Sequence, residues 1–276
     1  MSTIEATEEL GNVEIDIAKA GIAQPGAWED ETADASVEAG AVAPRRGSPV
    51  PAVELRAAHV SAARGAVFGP LTATSTNPVT VVLGARGSGR TSLLLSIAGR
   101  MKLSGGSLAT LGETKLSEIR RITGLVGFED IDALEPSVTL GATLRERLSW
   151  ALPWYRRTPR VTPELSGELL AEAFGEFEQP DPATLVRELG PAEEMLVRIA
   201  LALIEGPELL VVDDFDALRD PAERALVAER LSSLARRGIR VVVATTDPGD
   251  AALFASAAPA ATRGSASDAA PTVIEL

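Results

Sequence analysis

Val79-Thr-Val-Val-Leu-Gly-Ala-Arg-Gly-Ser-Gly-Arg-Thr-Ser-Leu-Leu-Leu-Ser-Ile-Ala-Gly99 is the stretch that decides the fold of this chain. Val79–Leu83 is a short apolar run rich in β-branched residues, the pattern of a buried parallel strand. Leu93–Gly99 reads as a buried helix ending near a glycine cap. Between them lie Gly84, Ala85, Arg86, Gly87, Ser88, Gly89, Arg90, Thr91 and Ser92. They follow the phosphate-binding pattern G-x-x-x-x-G-K-[ST], with Arg90 where the pattern has Lys. Successive N–H groups in such a loop form an anion nest, and the helix N-terminus adds partial positive charge. Glycines let the backbone approach a phosphate closely. The Thr91 hydroxyl suits Mg2+. Arg90 keeps the positive charge but replaces a compact ammonium with a planar fork. A tight strand–helix turn that needs its glycines for packing would use the same residues.

Downstream, Leu209–Val212 is a second buried strand, and it ends in Asp213 and Asp214. One carboxylate at a strand end can hold Mg2+, and its neighbour can orient or deprotonate an attacking water. The other reading is a solvated strand end or a cap for the next helix. With the glycine loop upstream, both halves of a nucleotide–Mg2+ site are present.

The rest of the chain narrows the field. Its 276 residues include no Cys and one His, His59, and the net charge is −13. This composition excludes disulfide scaffolds, Cys-ligated zinc, iron–sulfur clusters, thiol catalysis and multi-His metal centres. The acidic balance argues against nucleic acid as a partner. No apolar run approaches the ~18 residues of a membrane span, and the acidic start does not read as a secretory signal. A cytoplasmic protein is expected. Residues 1–50 hold ten acids and three bases, a net of −7. Residues 1–52 therefore read as an acidic, disordered tail and linker, with a transient helix near Val13–Ala20. Residues 255–276 are Ala/Pro/Ser-rich and read as a flexible tail. The ordered domain is expected over residues 53–254.

Taken in order, these elements resemble the ATP-binding cassette (ABC) family. Val53–Leu71 resembles the family's antiparallel β-subdomain. Gly105–Gly112 is similar to its "SGxxxxxG" strand-turn, followed by a short helix over Leu116–Arg121 and a strand over Ile122–Phe128. Thr139–Leu144 resembles "TVxEN(L/V)", the start of a helical subdomain spanning about 139–204. Leu189–Ile204 occupies the signature loop and helix, Gly206–Leu210 the turn into the Walker B strand, and Asp220-Pro221 the end of the D-loop. Arg240–Ala244 reads as the final strand before a switch loop at Thr245–Asp247. The resemblance implies an α/β P-loop NTPase fold with a mixed or parallel sheet flanked by helices. It implies ATP and Mg2+ as ligands, held by Gly84–Ser92, with Thr91 and Asp213 at the metal. It places Asp214 and Thr246 in catalytic positions. It also implies a second cassette, as homodimer or heterodimer, and a membrane permease that would hold the chain at the inner face of the membrane.

Several positions depart from the family. Arg90 replaces the Walker A Lys, and Asp214 replaces a Glu. Thr246 stands in the slot of the switch His. Leu189-Gly190-Pro191-Ala192-Glu193 replaces "LSGGQ", losing the Ser and both aligned Gly. Glu129 or Asp130 falls where a Gln is expected. No aromatic lies near Arg64 for adenine stacking, and Phe68 suits either that role or the core. These departures imply slow hydrolysis or a more complete partner. A non-transport regulatory cassette and a small-molecule kinase compete with the transporter reading, although the insertion between Asp130 and Leu189 does not suit a kinase lid.

Three further features are open at this level. Trp150, Trp154, Tyr155, Arg156 and Arg157 suit a permease-coupling surface, local packing near Pro153, or stacking on single-stranded nucleic acid. Thr162–Phe177 has the spacing of an amphipathic core helix. His59 reads as a structural residue of an early strand.

Overall fold

A computed structural model of the protein describes residues 50–63, 65–256 and 270–276. The expected tail helix near residues 13–20 and the position of Arg64 lie outside these described residues. Two sheets form the frame. β1 (Val53–Ala62), β2 (Gly65–Ser75) and β4 (Gly105–Thr110) make an antiparallel sheet in the order β2-β1-β4. β3 (Val79–Leu83), β5 (Thr123–Val126), β6 (Leu209–Val212), β7 (Arg240–Thr245) and β8 (Thr272–Glu275) make a parallel sheet in the order β5-β6-β7-β3-β8.

The parallel strands are apolar on both faces because both faces are covered. Val81, Leu210, Val212, Val241 and Val243 point into one core cluster. Their neighbours Val82, Leu209, Val211, Val242 and Ala244 point into a second. The first is filled by α3 (Leu140–Ala151), α4 (Pro163–Phe174), α5 (Pro191–Leu203), α6 (Pro221–Arg236) and α7 (Asp250–Ser256). The second is filled by α1 (Arg90–Ile97), which lies between the two sheets and touches β2, β4, β6 and β7. A helix covered on both sides has no use for a polar stripe, which is why Leu93-Leu94-Leu95 runs unbroken. Leu93, Leu94 and Ile97 are fully buried, each contributing about 1.5–3 kcal/mol of apolar burial.

Thr139 caps α3 by accepting the Ala142 N–H through its hydroxyl, and Thr162 caps α4 by accepting the Leu165 N–H in the same way. Short α2 (Leu116–Ile122) leads into β5.

One boundary is corrected. The expected flexible tail over 255–276 contains β8, which pairs in parallel with β3 from Thr80↔Thr272 to Leu83↔Glu275. Asn77 anchors its approach by donating to the Ala270 carbonyl at 2.7 Å, and Ile274 is buried. Arg240–Ala244 is accordingly not the last strand. At the other end, Ala52 is fully buried and donates its N–H to the Ser75 carbonyl, so order starts before Val53.

Burial decides the reading of Phe68 and removes local packing from those of the Trp150–Arg157 stretch. Phe68 is a core side chain. Trp154 and Tyr155 do not pack into the domain. They are 95% and 71% exposed and meet each other edge-to-face, while the Arg147 guanidinium lies over the Trp150 ring. His59 is structural. Its Nδ1 lies 3.2 Å from the Ala57 carbonyl oxygen, and its ring leaves room only for glycine at Gly105.

Candidate functional site

β3 ends at Leu83, and the loop Gly84–Gly89 carries the chain to α1. Gly89 is the N-cap residue, with φ +94° in the left-handed region, and it makes no side-chain cap. A Cβ there would collide with the Val67 carbonyl oxygen. The first helical bond runs from the Leu93 N–H to the Gly89 carbonyl at 2.9 Å. The N–H groups before Leu93 thus have no carbonyl within the helix to receive them. No acidic residue sits in the first turn of α1. The Ser88 hydroxyl is buried inside the loop without a hydrogen-bond partner. An uncapped helix start, left-handed glycines at Gly87 and Gly89 and an orphaned hydroxyl together form a donor-rich cradle that fits a phosphate.

The acids stand at the end of the neighbouring β6. Asp213 is buried and receives the Asp214 N–H at 2.9 Å. Its backbone lies against Gly127, where a Cβ would strike the Asp213 carbonyl oxygen. Asp214 is exposed and has φ +52°, a strained value for a residue with a side chain. Desolvation, then the charges of Asp216 and Asp213, raise its pKa against the opposing pull of Arg86 and Arg90. Among the described residues, no three His, Cys, Asp or Glu side chains converge as a metal site. Mg2+ here would rest on Thr91, Asp213, water and the phosphates themselves, the usual arrangement for this ion.

Asp216 was not singled out in the sequence, and the structure puts it at the centre. Arg90 Nη1 donates to its Oδ1 at 3.2 Å, and the Thr246 hydroxyl donates to its Oδ2 at 2.9 Å. Arg90 and Thr246 are therefore joined, but through Asp216 and not through Asp214. Burial pushes the Asp216 carboxyl up, and the bonds from Thr246 and Arg90 outweigh it, so its pKa lies below the ordinary aspartate value. A sequence signal did exist: an Arg in the Lys slot needs a planar acceptor, and a third acid follows Asp213-Asp214 by two positions.

The loop after β5 is likewise held by an unforeseen acid. Glu129 and Asp130 are exposed, whereas Asp132 is buried and accepts the Gly127 and Phe128 N–H groups at 2.8 and 2.6 Å. Arg198 of α5 lies 3.6 Å from it, tying this loop to that helix. In the switch segment, Asp250 accepts from the Thr245 hydroxyl at 2.5 Å, and Arg224 bridges Asp247 and Asp250.

At the signature position, Gly190 is the N-cap of α5 and Pro191 its first residue. Pro191 has no N–H to offer. The Glu193 carboxylate accepts the Gly190 N–H at 2.8 Å, so this helix start is occupied by its own acid.

Residues 73–217 match the family model described as ABC transporter. The phosphonates import ATP-binding protein PhnC 1 of Rhodopseudomonas palustris is 30% identical over 185 residues, covering 63% of this chain and 64% of that protein. The Nod factor export ATP-binding protein I of Burkholderia pseudomallei is 31% identical over 165 residues, covering 59% of this chain and 52% of that protein. The chain thus spans less than two thirds of the length of either relative. Among solved structures, cbiO1 of Clostridium perfringens, part of the ABC transporter complex cbiONQ, superposes with a TM-score of 0.56 at 19% identity, covering 71% of this chain and 79% of that one. The parallel sheet, the cradle at Gly84–Ser92 and the match over more than half of the sequence place this chain in the ABC transporter family.

Proposed function

We propose that the chain is a nucleotide-binding cassette that holds an adenine nucleotide with Mg2+ at Gly84–Ser92 and hydrolyses ATP slowly, if paired with a copy of itself. The observation that carries this is the open start of α1 with the unpartnered Ser88 hydroxyl, set in the family's strand–loop–helix order. Thr91 and Asp213 would hold Mg2+, which supplies charge neutralisation on the phosphates. Asp214 would orient the attacking water and Thr246 would touch the terminal phosphate.

Slow turnover is supported by what the side chains already do. Arg90 and Thr246 are committed to Asp216, and the α5 start is filled by Glu193. A complementary cassette would supply the missing donors, and a membrane permease is the partner that the family suggests. The exposed Trp150, Trp154 and Tyr155 of the helical subdomain offer an apolar docking surface for that permease. Among the described residues, no helix is long and apolar enough to cross a membrane. The relatives are named for phosphonate import and Nod factor export, and cargos this different assign none to this chain.

The test is a phosphate-release assay on the purified chain. Turnover near background, rising when a complete cassette is added, is the expected result. Ordinary cassette turnover by the chain alone, abolished by Asp214→Asn, overturns the reading.

A further inference from the structure

Two groups of donors face the cradle, and they stand in different states. The N–H groups at the start of α1, before Leu93, and the Ser88 hydroxyl are uncommitted, whereas within the loop the Ser88 N–H donates to the Ala85 carbonyl at 3.1 Å and the Gly84 N–H to the Thr245 carbonyl at 3.3 Å. Arg90, the cation in the motif's Lys slot, and the switch hydroxyl, Thr246, are both spent on a single carboxylate. In a phosphate-binding loop the backbone cradles the inner phosphates, whereas the cation reaches outward to the β/γ pair. The committed side chains are thus those of the outermost phosphate.

We propose that Asp216 acts as a built-in substitute for the terminal phosphate, making this a site that takes the nucleoside diphosphate at least as well as the triphosphate. This deepens the nucleotide-binding reading above and rests on it. A carboxylate and a phosphoryl group are interchangeable acceptors for a guanidinium. Each oxygen of Asp216 takes one donor, Arg90 on one side and Thr246 on the other. The Arg90–Asp216 pair is sheltered, with the side chains 11% and 10% exposed, so water screens it little.

The carboxylate is also held from below. Asp216 lies in a single 3-10 turn, Phe215–Ala217, whose Phe215 is fully buried and packs on Phe254 at 5.7 Å between ring centroids. A diphosphate can sit at the open start of α1 and leave this arrangement intact. A third phosphate must take Arg90 and Thr246 from Asp216 and then lie among Asp213, Asp214 and Asp216, with Arg86 the remaining nearby cation. Asp216 is thus a specificity-determining residue.

The test is calorimetric titration of ADP and of ATP, each with Mg2+, into the wild-type chain, Asp216→Asn and Asp216→Ala. ATP should bind the wild-type chain no more tightly than ADP. In both variants ATP affinity should rise about tenfold, the scale of one charge-assisted contact, while ADP affinity changes less than about threefold. ATP binding more tightly than ADP to the wild-type chain overturns the proposal, and this comparison stands even if neither variant folds. Equal gains for both nucleotides, or no gain, also overturn it. Binding of neither nucleotide to any of the three chains instead overturns the nucleotide-binding reading beneath it.

Discussion

α1 and α5 both begin at a glycine, and they treat that beginning in opposite ways. α1 starts at left-handed Gly89 with no side-chain cap, no acid in its first turn and a buried, unpartnered Ser88 hydroxyl beside it. α5 starts at extended Gly190, follows it with Pro191 and closes on itself through Glu193, with Glu194 adding a second acid. The partial positive charge of a helix start attracts an anion in either case. At α5 the protein supplies that anion itself, and at α1 it leaves the place open. In the resembled family both helix starts serve nucleotide, the second for the ATP of the facing cassette. In this chain the first start is left open and the second carries its own carboxylate.

The contrast can be broken most severely at Gly89. Gly89→Ala puts a side chain at φ +94° against the Val67 carbonyl, and a loss of about 3 kcal/mol or more is expected, read as a lower urea midpoint. Nucleotide binding should vanish with it. Next comes Arg90→Ala. If the backbone nest carries the phosphate, ATP binding weakens by only about 1–3 kcal/mol in calorimetry and the fold survives. A chain that fails to fold without Arg90 would instead make the loop a packing device.

On the sealed side the effects are smaller. Glu193→Ala removes the cap of α5 and should cost about 0.5–2 kcal/mol in thermal unfolding, with nucleotide affinity unchanged. Glu193→Gln keeps the hydrogen bond and removes the charge, so its stability should stay within about 0.5 kcal/mol of wild type. If Glu193→Ala were neutral, the acid would not be acting as a cap.

Much of this frame is legible in the sequence, and the reason is burial. β3 and β6 fall at Val79–Leu83 and Leu209–Val212 because a parallel strand covered on both faces is apolar at nearly every position, the one polar side chain, Thr80, being paired with the Ser75 hydroxyl at 2.6 Å. β8 escapes the same reading. Only four residues long, it exposes Val273 and Glu275 and follows an Ala/Ser/Pro-rich stretch, so nothing in its pattern separates it from a tail. The site divides in the same manner. Gly84–Ser92 and Asp213 are visible as motifs, since backbone chemistry fixes their spacing. Asp216 and Asp132 are not, because their roles come from Arg90, Thr246 and Arg198, which are brought beside them from 30 to 126 residues away in the chain only by the fold.

The most direct measurement is calorimetric titration of ADP with Mg2+ into the purified chain, alone and with Mg2+ chelated. An open α1 start predicts saturable binding of one nucleotide per chain, weakened when Mg2+ is removed and unaffected by Glu193→Gln. No saturable heat with ADP or ATP up to millimolar concentration would contradict the account, leaving the glycine loop as a strand–helix turn and nothing more.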